Sequence, residues 1–395
     1  MKHSQRHKVH ADVAEKLKSM SLTLKSKKFS NQKSYDLRYE NLNEKDIPIN
    51  KFGKLILREK RPKDRKRSEA IILEGSRLVK DALLAGAEAS CLCFCHPESL
   101  EQLREAQSLL EKVKMYKISP KIMKTFSDTV TPGGLLGVFK KPGQGEAICP
   151  AKSTLPISLI CDSLKDPGNA GTLIRTAAAV GCRRVFAMDG CVNLWERKVL
   201  RSAMGAHFHI PIYSGVNWED IGNYLSSQVQ VLLANNFTAT TLCRAFDPQV
   251  EADNFASDTD QGSERESTSY EEFRPVENSE DADNQDDGLS ELDAYKFHNV
   301  PLPVFEYSKV PLSFADMEND CFDINENKKS FLAEEVALVI GSEAAGLSAS
   351  AKKFAFDHYG AYVMIPMNET TNSLNSGIAG SVILYELRKK LLKLV

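Results

Sequence analysis

Apolar positions along the chain fall into two series of short hydrophobic runs alternating with amphipathic stretches, separated by a polar junction. In the first series AIILEG, from Ala70, reads as a strand, SRLVKDALLAG as a helix stopped by glycine, and ASCLCFC as a second strand. A helix over ESLEQLREAQSLLEKV, a strand at KMYKIS, a helix at PKIMKTFSD and a strand at GGLLGVF follow. They close an α/β unit near Lys141, and KPGQGEAICPAKST, with its Pro and Gly, reads as a linker.

The second series starts with the strand LPISLICDSL, then the helix opened by DPGNAGTLIRTAAAVG, the strand RRVFAM and a helix around WERKVLRSAMG. FHIPIY, WEDIGNYLSSQ and the strand VQVLLANN complete a set whose crossovers have the length of parallel βα units. The pattern breaks near Thr240 and resumes at VALVIG, residues 336 to 341, with one short ordered piece between at VPLPVFEYSKVPL. Next come the turn SEAAGLS, the helix SAKKFAFDHYG, the strand AYVMIPM, a polar turn and a long final helix with basic residues at its exit, where they complement the helix dipole. Small residues early in that helix, Gly377, Ala379, Gly380 and Ser381, permit close approach by a ligand or tight helix packing. The expected α/β architecture is therefore an extension over 1–64, a small domain over 65–145, a linker over 146–154 and a larger domain over 155–395, interrupted at about 244–299.

Charge changes this picture. The net charge of −2 hides about twenty Lys and Arg against about eight acids in residues 1–67, and about sixteen acids against only Arg265 and Arg274 in residues 251–294. A basic arm beside a neutral domain suits a polyanion partner and equally a solvating tail, whereas the acidic segment has too little apolar surface to offset its ordering entropy. No apolar run approaches the roughly 18 to 20 residues of a membrane span, so a soluble intracellular protein is expected. Val13, Leu17, Met20 and Leu24 can share one helical face near the N-terminus, although Asp12, Glu15 and the scarcity of Arg depart from a presequence. Nine cysteines without framework spacing fit a reducing compartment. Cys91, Cys93 and Cys95 alternate along a strand and share a buried face; a zinc ion would need ligands from a second segment that offers no matching pair, so no metal is expected.

The chemistry concentrates after strands. In DPGNAGTLIRTAAAVG, Asp166, Pro167, Gly168 and Asn169 form a turn, and the helix beginning there exposes free amides where open α/β sheets bind ligands. Arg175 lies within two turns of that helix mouth and can reach an anion gathered there; taken alone, it also fits a surface salt bridge. Neither G-x-G-x-x-G after the first strand nor G-x-x-x-x-G-K-[ST] occurs, which argues against a dinucleotide fold and a P-loop. In VIGSEAAGLS, Gly341 follows the strand, Glu343 is the lone acid and Gly346 is a second flexible point. In IPMNETTNSLNSG, Ile365 and Met367 end a strand while Ser373, Leu374 and Asn375 open the last helix. Amides and apolar walls from such loops can hold an adenine and a ribose.

In this order, N-x-G-x-x-x-R with A-x-x-x-G, then a strand with G-x-E-x-x-G-L, then I-P-M with S-L-N and a helix carrying L-Y-E, closely resemble the three motifs of the SpoU (TrmH-like) ribose 2′-O-methyltransferases. The resemblance covers residues 155–241 and 335–390. The preceding unit resembles the L30e-like RNA-binding domain in EGSRLVKDALLAG and SDTVTPGGLLGVF, while LICDSLKDPGNAGTLIRTAAAVGC and WERKVLRSAMGAHFHIPI resemble the mitochondrial large-subunit rRNA guanosine branch.

The resemblance implies a SPOUT domain with a deep trefoil knot, S-adenosyl-L-methionine as cofactor, large-subunit rRNA as partner, a homodimer with sites at the subunit interface, and the mitochondrial matrix. By motif it implies a site of Arg175, Asn169, Glu343, Ser373 and Asn375, with Gly341, Ile365, Met367 and Leu374 toward the cofactor. The family gives the arginine a part in deprotonating or orienting the ribose hydroxyl. A guanidinium is a poor base at its normal pKa, so anchoring a phosphate is the better physical role. Two positions depart from the pattern: Ser342 stands where Asn is common, and Asn368 and Glu369 where glycine often precedes S-L-N. A silent RNA-binding relative is the alternative to an enzyme.

Overall fold

The computed structural model describes residues 38–43, 45, 53–56, 68–236, 302–312, 333–358, 360–368, 370–371 and 373–394. The apolar face expected at Val13, Leu17, Met20 and Leu24 and the acidic segment 251–294 lie outside the described residues.

Two sheets organise the rest. The first orders its strands β1–β4–β3–β5–β2, where β1 is Glu40–Asn41, β2 Ala70–Glu74, β3 Ala89–Phe94, β4 Lys114–Lys117 and β5 Leu135–Lys140. β5 runs antiparallel to both of its neighbours; the other pairs are parallel. Alternation along β3 and just beyond turns Cys91, Cys93 and Cys95 into one core with Ile72, Ile122, Met123 and Phe126, as the strand-face reading expects. Burial pushes the Cys91 thiol up to about 12, so it sits there as a small neutral hydrophobe. Helices α1 (Ser76–Leu84), α2 (Gln107–Leu110) and α3 (Pro120–Phe126) join the strands, and the Ser119 hydroxyl caps α3 by accepting from Ile122 N–H. β1 comes from within the basic arm: Tyr39 sets its ring edge-on to Phe94 at 5.2 Å.

The second sheet orders β10–β12–β9–β11–β6–β7–β8, and every pairing in it is parallel. Its strands are β6 (Leu155–Cys161), β7 (Cys182–Met188), β8 (Ile212–Val216), β9 (Val229–Ala234), β10 (Val304–Glu306), β11 (Glu335–Ile340) and β12 (Ala361–Met364). β11 is buried along its whole length, as an unbroken EVALVI run requires of a strand covered on both faces. Helices α4 (Pro167–Val180), α5 (Arg197–Ala203), α6 (Ala349–Asp357) and α7 (Ser376–Leu394) supply the cover.

Three elements differ from the pattern-based reading. Residues Pro97–Ala106 form a 3₁₀ helix before α2, because Leu100, Leu103 and Ala106 repeat every three residues and so align on a threefold turn. FHIPIY is strand only from Ile212: Pro211 has no N–H for the ladder, and Phe208 closes a 3₁₀ turn. WEDIGNYLSSQ contributes only the 3₁₀ turn Ile221–Asn223, in which Ile221 alone is buried. The linker is also fastened rather than free. Gly145 N–H donates to Ile212 O at 2.9 Å, Cys149 N–H to Phe208 O at 2.9 Å and Gln144 Nε2 to Ser214 O at 2.7 Å.

Candidate active site

Parallel registers bring the important loops to one edge. Ile340 at the end of β11 lies opposite Cys161 of β6 and Ala234 of β9, and Ala234 lies opposite Val363 of β12. The loops after β6, β11 and β12 therefore emerge side by side. From β6 the chain steps to β7 on one flank, while β11 fills the other flank from much later in the sequence, which makes this a topological switch point. Asp166 caps α4 by accepting Asn169 N–H at 2.7 Å, with Pro167 at the first helical position. Asp162, 1% exposed, accepts Ser348 N–H at 2.7 Å while its own N–H donates to Ile340 O at 2.9 Å. The loop after β6 is thereby tied to the loop after β11.

One carboxylate oxygen joins three segments. Glu343 Oε1 accepts from Asn169 Nδ2 at 2.7 Å, Asn375 Nδ2 at 2.9 Å, and Ser376 N–H at 3.2 Å. Asn375 Nδ2 also donates to Asn169 Oδ1 at 2.8 Å, and Asn375 Oδ1 caps α7 by accepting Ile378 N–H at 3.2 Å. Among the described residues, Glu343 forms no ion pair, so its charge is held by amides and a hydroxyl alone.

Two glycines permit the arrangement. The loop after β11 closes by reciprocal Ser342–Gly346 backbone bonds of 3.0 and 2.9 Å, and a Cβ on Gly341 would lie 2.4 Å from Gly346 O. On α7, a Cβ at Gly380 would meet Leu173 of α4 at 2.5 Å and Ile340 at 3.2 Å. Beside it Ser381 Oγ lies 2.8 Å from Thr176 Oγ1. The small residues of α7 thus serve close packing on α4 and β11.

Of the residues singled out by sequence, the structure brings Asn169, Glu343 and Asn375 into one network. Gly341 shapes the adjoining loop, and Ile365, Met367 and Leu374 line the third segment, each half-buried. β12 ends at Met364 rather than Met367, since the residue before a proline and Pro366 itself cannot extend the ladder. Arg175 and Ser373 are exposed and make no hydrogen bond or ion pair among the described residues, so the surface salt bridge open to Arg175 is not formed. Six residues beyond Asn169, Arg175 is turned about 120° away from it at about 100° per residue. Sequence reading missed Asp162, Ser376 and Ser202, whose Oγ donates to Gly168 O at 2.9 Å. Asp162 carried a signal, an acid directly at the end of the apolar run LPISLIC.

The edge thus combines a helix mouth, backbone groups of a tight loop and half-buried aliphatic walls beside a carboxylate. These are the surfaces that an adenosine bearing a charged side chain requires, and the residues present fit such a group.

Comparison with known proteins agrees. Residues 156–256 and 291–385 match the SpoU rRNA Methylase family, and residues 54–137 match the MRM3-like substrate binding domain. The "rRNA methyltransferase 3, mitochondrial" of Xenopus tropicalis is 33% identical over 360 residues, spanning 90% of this chain and 78% of that protein. The human protein of the same name is 33% identical over 330 residues, 83% of this chain and 69% of that one. An AdoMet-bound rRNA methyltransferase from Sinorhizobium meliloti has the same fold at a TM-score of 0.54 and 19% identity, covering 89% of this chain and 98% of that chain.

Proposed function

This chain belongs to the SpoU rRNA methylase family, and from that premise we propose that it methylates a ribose 2′-oxygen, that of a guanosine in mitochondrial large-subunit rRNA, using S-adenosylmethionine. The observation that carries the reading is the joining of the three motif loops on Glu343 Oε1. Names of the relatives support the rRNA substrate and the mitochondrial setting, within which the matrix is the location we propose.

When bound, S-adenosylmethionine supplies an electrophilic methyl group on a sulfonium sulfur. Gly341 and the half-buried Ile365, Met367 and Leu374 would hold it, and Glu343, Asn169 and Asn375 would set the orientation of the reacting ribose. In-line displacement gains mainly from such alignment. Arg175, exposed and uncommitted, would anchor an RNA phosphate, a role for which a donor-only guanidinium is suited.

A homodimer with sites at its interface fits two features. Arg175 is turned away from the network of its own chain, and α7 exposes Ile378, Tyr385 and Leu392, spaced by seven residues along one face. A second copy would cover that stripe and bring Arg175 of one protomer toward the network of the other. The deep trefoil knot is supported by the late arrival of β11 at the centre of the sheet, and the L30e-like character of the first domain by its mixed, helix-covered sheet.

Transfer of tritium from labelled cofactor to large-subunit rRNA tests the assignment. The expected result is labelling by the wild type, its loss in Arg175→Ala, and cofactor affinity nearly unchanged by calorimetry. Cofactor binding without labelling of any large-subunit rRNA would indicate a silent RNA-binding relative. Equal loss of transfer and cofactor affinity in Arg175→Ala would move the arginine to the cofactor side.

A further inference from the structure

The loop after β7, residues 189–196, carries none of the three motif segments, yet it holds the first of them. Cys191 Sγ accepts Leu164 N–H at 3.3 Å and donates to Cys161 O at 3.1 Å, while Val192 N–H donates to Leu164 O at 2.8 Å. Both backbone groups of Leu164 and the last carbonyl of β6 thus find their partners in this loop. A thiol can make both bonds only while it keeps its proton. Burial pushes that of Cys191 up to about 12, so it does.

Between the two gripped atoms lies a strained residue. Ser163 has φ 52°, a left-handed conformation that is costly for a residue with a Cβ and persists only where its surroundings hold it. On one side of it Asp162 is fixed to Ile340 O and Ser348 N–H; on the other Leu164 is fixed to residues 191 and 192. Three residues past Ser163, Asp166 accepts Asn169 N–H and starts α4. Relaxation of Ser163 to an ordinary negative φ would swing Asp166, and with it the amide that Asn169 donates to Glu343 Oε1. Among the described residues Cys191 bonds to no member of that network, so its influence passes through this turn. Filling space requires only a side chain of this volume, not one that accepts on one side of Ser163 and donates on the other.

We propose that Cys191 is a positioning residue for methyl transfer, its thiol holding the left-handed Ser163 turn that aims Asn169 at Glu343. The proposal rests on the methyltransferase reading above and deepens it by naming a side chain, outside the three motif loops, on which the first of them depends. Asp162 clamps the turn from the side of β11 and Cys191 from the side of β7. Alignment of reacting groups is steeply sensitive to such displacements, even when the change is made away from the chemistry.

Full-length protein gives the test, with kcat at saturating large-subunit rRNA and S-adenosylmethionine, cofactor Kd by calorimetry, Tm, and deuterium uptake of a peptide carrying Asn169. Cys191→Ala is expected to lower kcat about tenfold, to leave cofactor Kd within about threefold, and to speed exchange of Asn169 N–H about tenfold although its acceptor Asp166 is untouched. Cys191→Val, which fills the space without either bond, should lose as much and keeps the test decisive if the alanine variant does not fold. Cys191→Ser keeps a donor and an acceptor and should hold kcat within about threefold of wild type. Adding Ser163→Gly to Cys191→Ala or Cys191→Val should return kcat to that range and slow Asn169 exchange again, because glycine adopts this φ without a clamp. A lowered Tm with kcat and Asn169 exchange unchanged, or no recovery on adding glycine, overturns the proposal. A wild type that binds cofactor but methylates no large-subunit rRNA removes the activity assignment alone, since Asn169 exchange still reads the clamp.

Discussion

Strand β11 carries one glutamate at its start and another three residues past its end, and the two live in opposite worlds. Glu335 is fully buried at the N-terminal edge of the parallel sheet, where Ser158 Oγ donates at 2.6 Å, Arg184 Nη2 at 3.0 and 3.2 Å, and Ser226 N–H at 3.0 Å. Arg183 adds a second cation at 3.7 Å. Both oxygens are engaged and the charge is neutralised. Glu343 is exposed at the C-terminal edge, faces no cation among the described residues, and takes all its hydrogen bonds on Oε1. The first carboxylate closes a structure; the second keeps an oxygen and a charge in reserve. The buried end of the strand is thus closed by charge pairing while the exposed end leaves a carboxylate oxygen open, at the carboxyl edge where ligands of parallel sheets gather.

Removing each carboxylate should separate the two roles. Glu335→Ala leaves Arg184 without its partner in a largely buried place, so a loss of about 3–5 kcal/mol is expected, read by chemical denaturation. Methyl transfer per folded molecule should stay near wild type. A variant that keeps its stability but loses transfer would erase the contrast.

Glu343→Ala should do the reverse. The two segments carrying Asn169 and Asn375 lose their common acceptor at an exposed position, so transfer is expected to fall about 10²- to 10³-fold, with the denaturation midpoint shifted only slightly. Single-turnover kinetics with saturating cofactor checks this, and an unaltered rate would make the network a structural tie like its counterpart.

Acidification probes a further group, buried and outside both networks. His207 is fully buried, its Nε2 lies 2.7 Å from Leu194 O, and burial pushes its pKa down from 6.5 to about 4. A histidine held neutral when folded binds its proton more readily when unfolded. Stability from this group is therefore complete above about pH 6.5 and falls as pH drops from there toward 4, by up to about 3 kcal/mol. His207→Gln should flatten that part of the stability profile, measured by urea denaturation between pH 7 and 4; an unchanged slope would assign the acid sensitivity elsewhere.

Much of the site was legible because its markers are local. Asp166 before Pro167 announces a helix start, Gly341 marks a tight loop, and S-L-N ends on a helix-capping asparagine, each needing only its near neighbours. What could not be read is where polar side chains find partners. Arg175 shares a helix with Asn169, yet the helical turn directs it to solvent, while Arg197, in a stretch that reads as an ordinary amphipathic helix, is buried against Phe126 and Asp128. Patterning also overreached where spacing of three imitated a helix at Pro97–Ala106 and where Pro211 delayed a strand.

The sequence by itself determined the alternation of strands and helices, the cysteine face of β3, the caps and the three motif loops, because periodicity and turn chemistry are fixed by residues two to four positions apart. Only the tertiary structure decided that Glu343 rather than Glu335 stands open, that one oxygen gathers Asn169 and Asn375, and that α5 ties the first domain to the helix that carries Asn169. The physical reason is that the protonation, charge balance and exposure of a polar group depend on which distant segment lies beside it, and in this sheet that neighbour comes from up to about two hundred residues away.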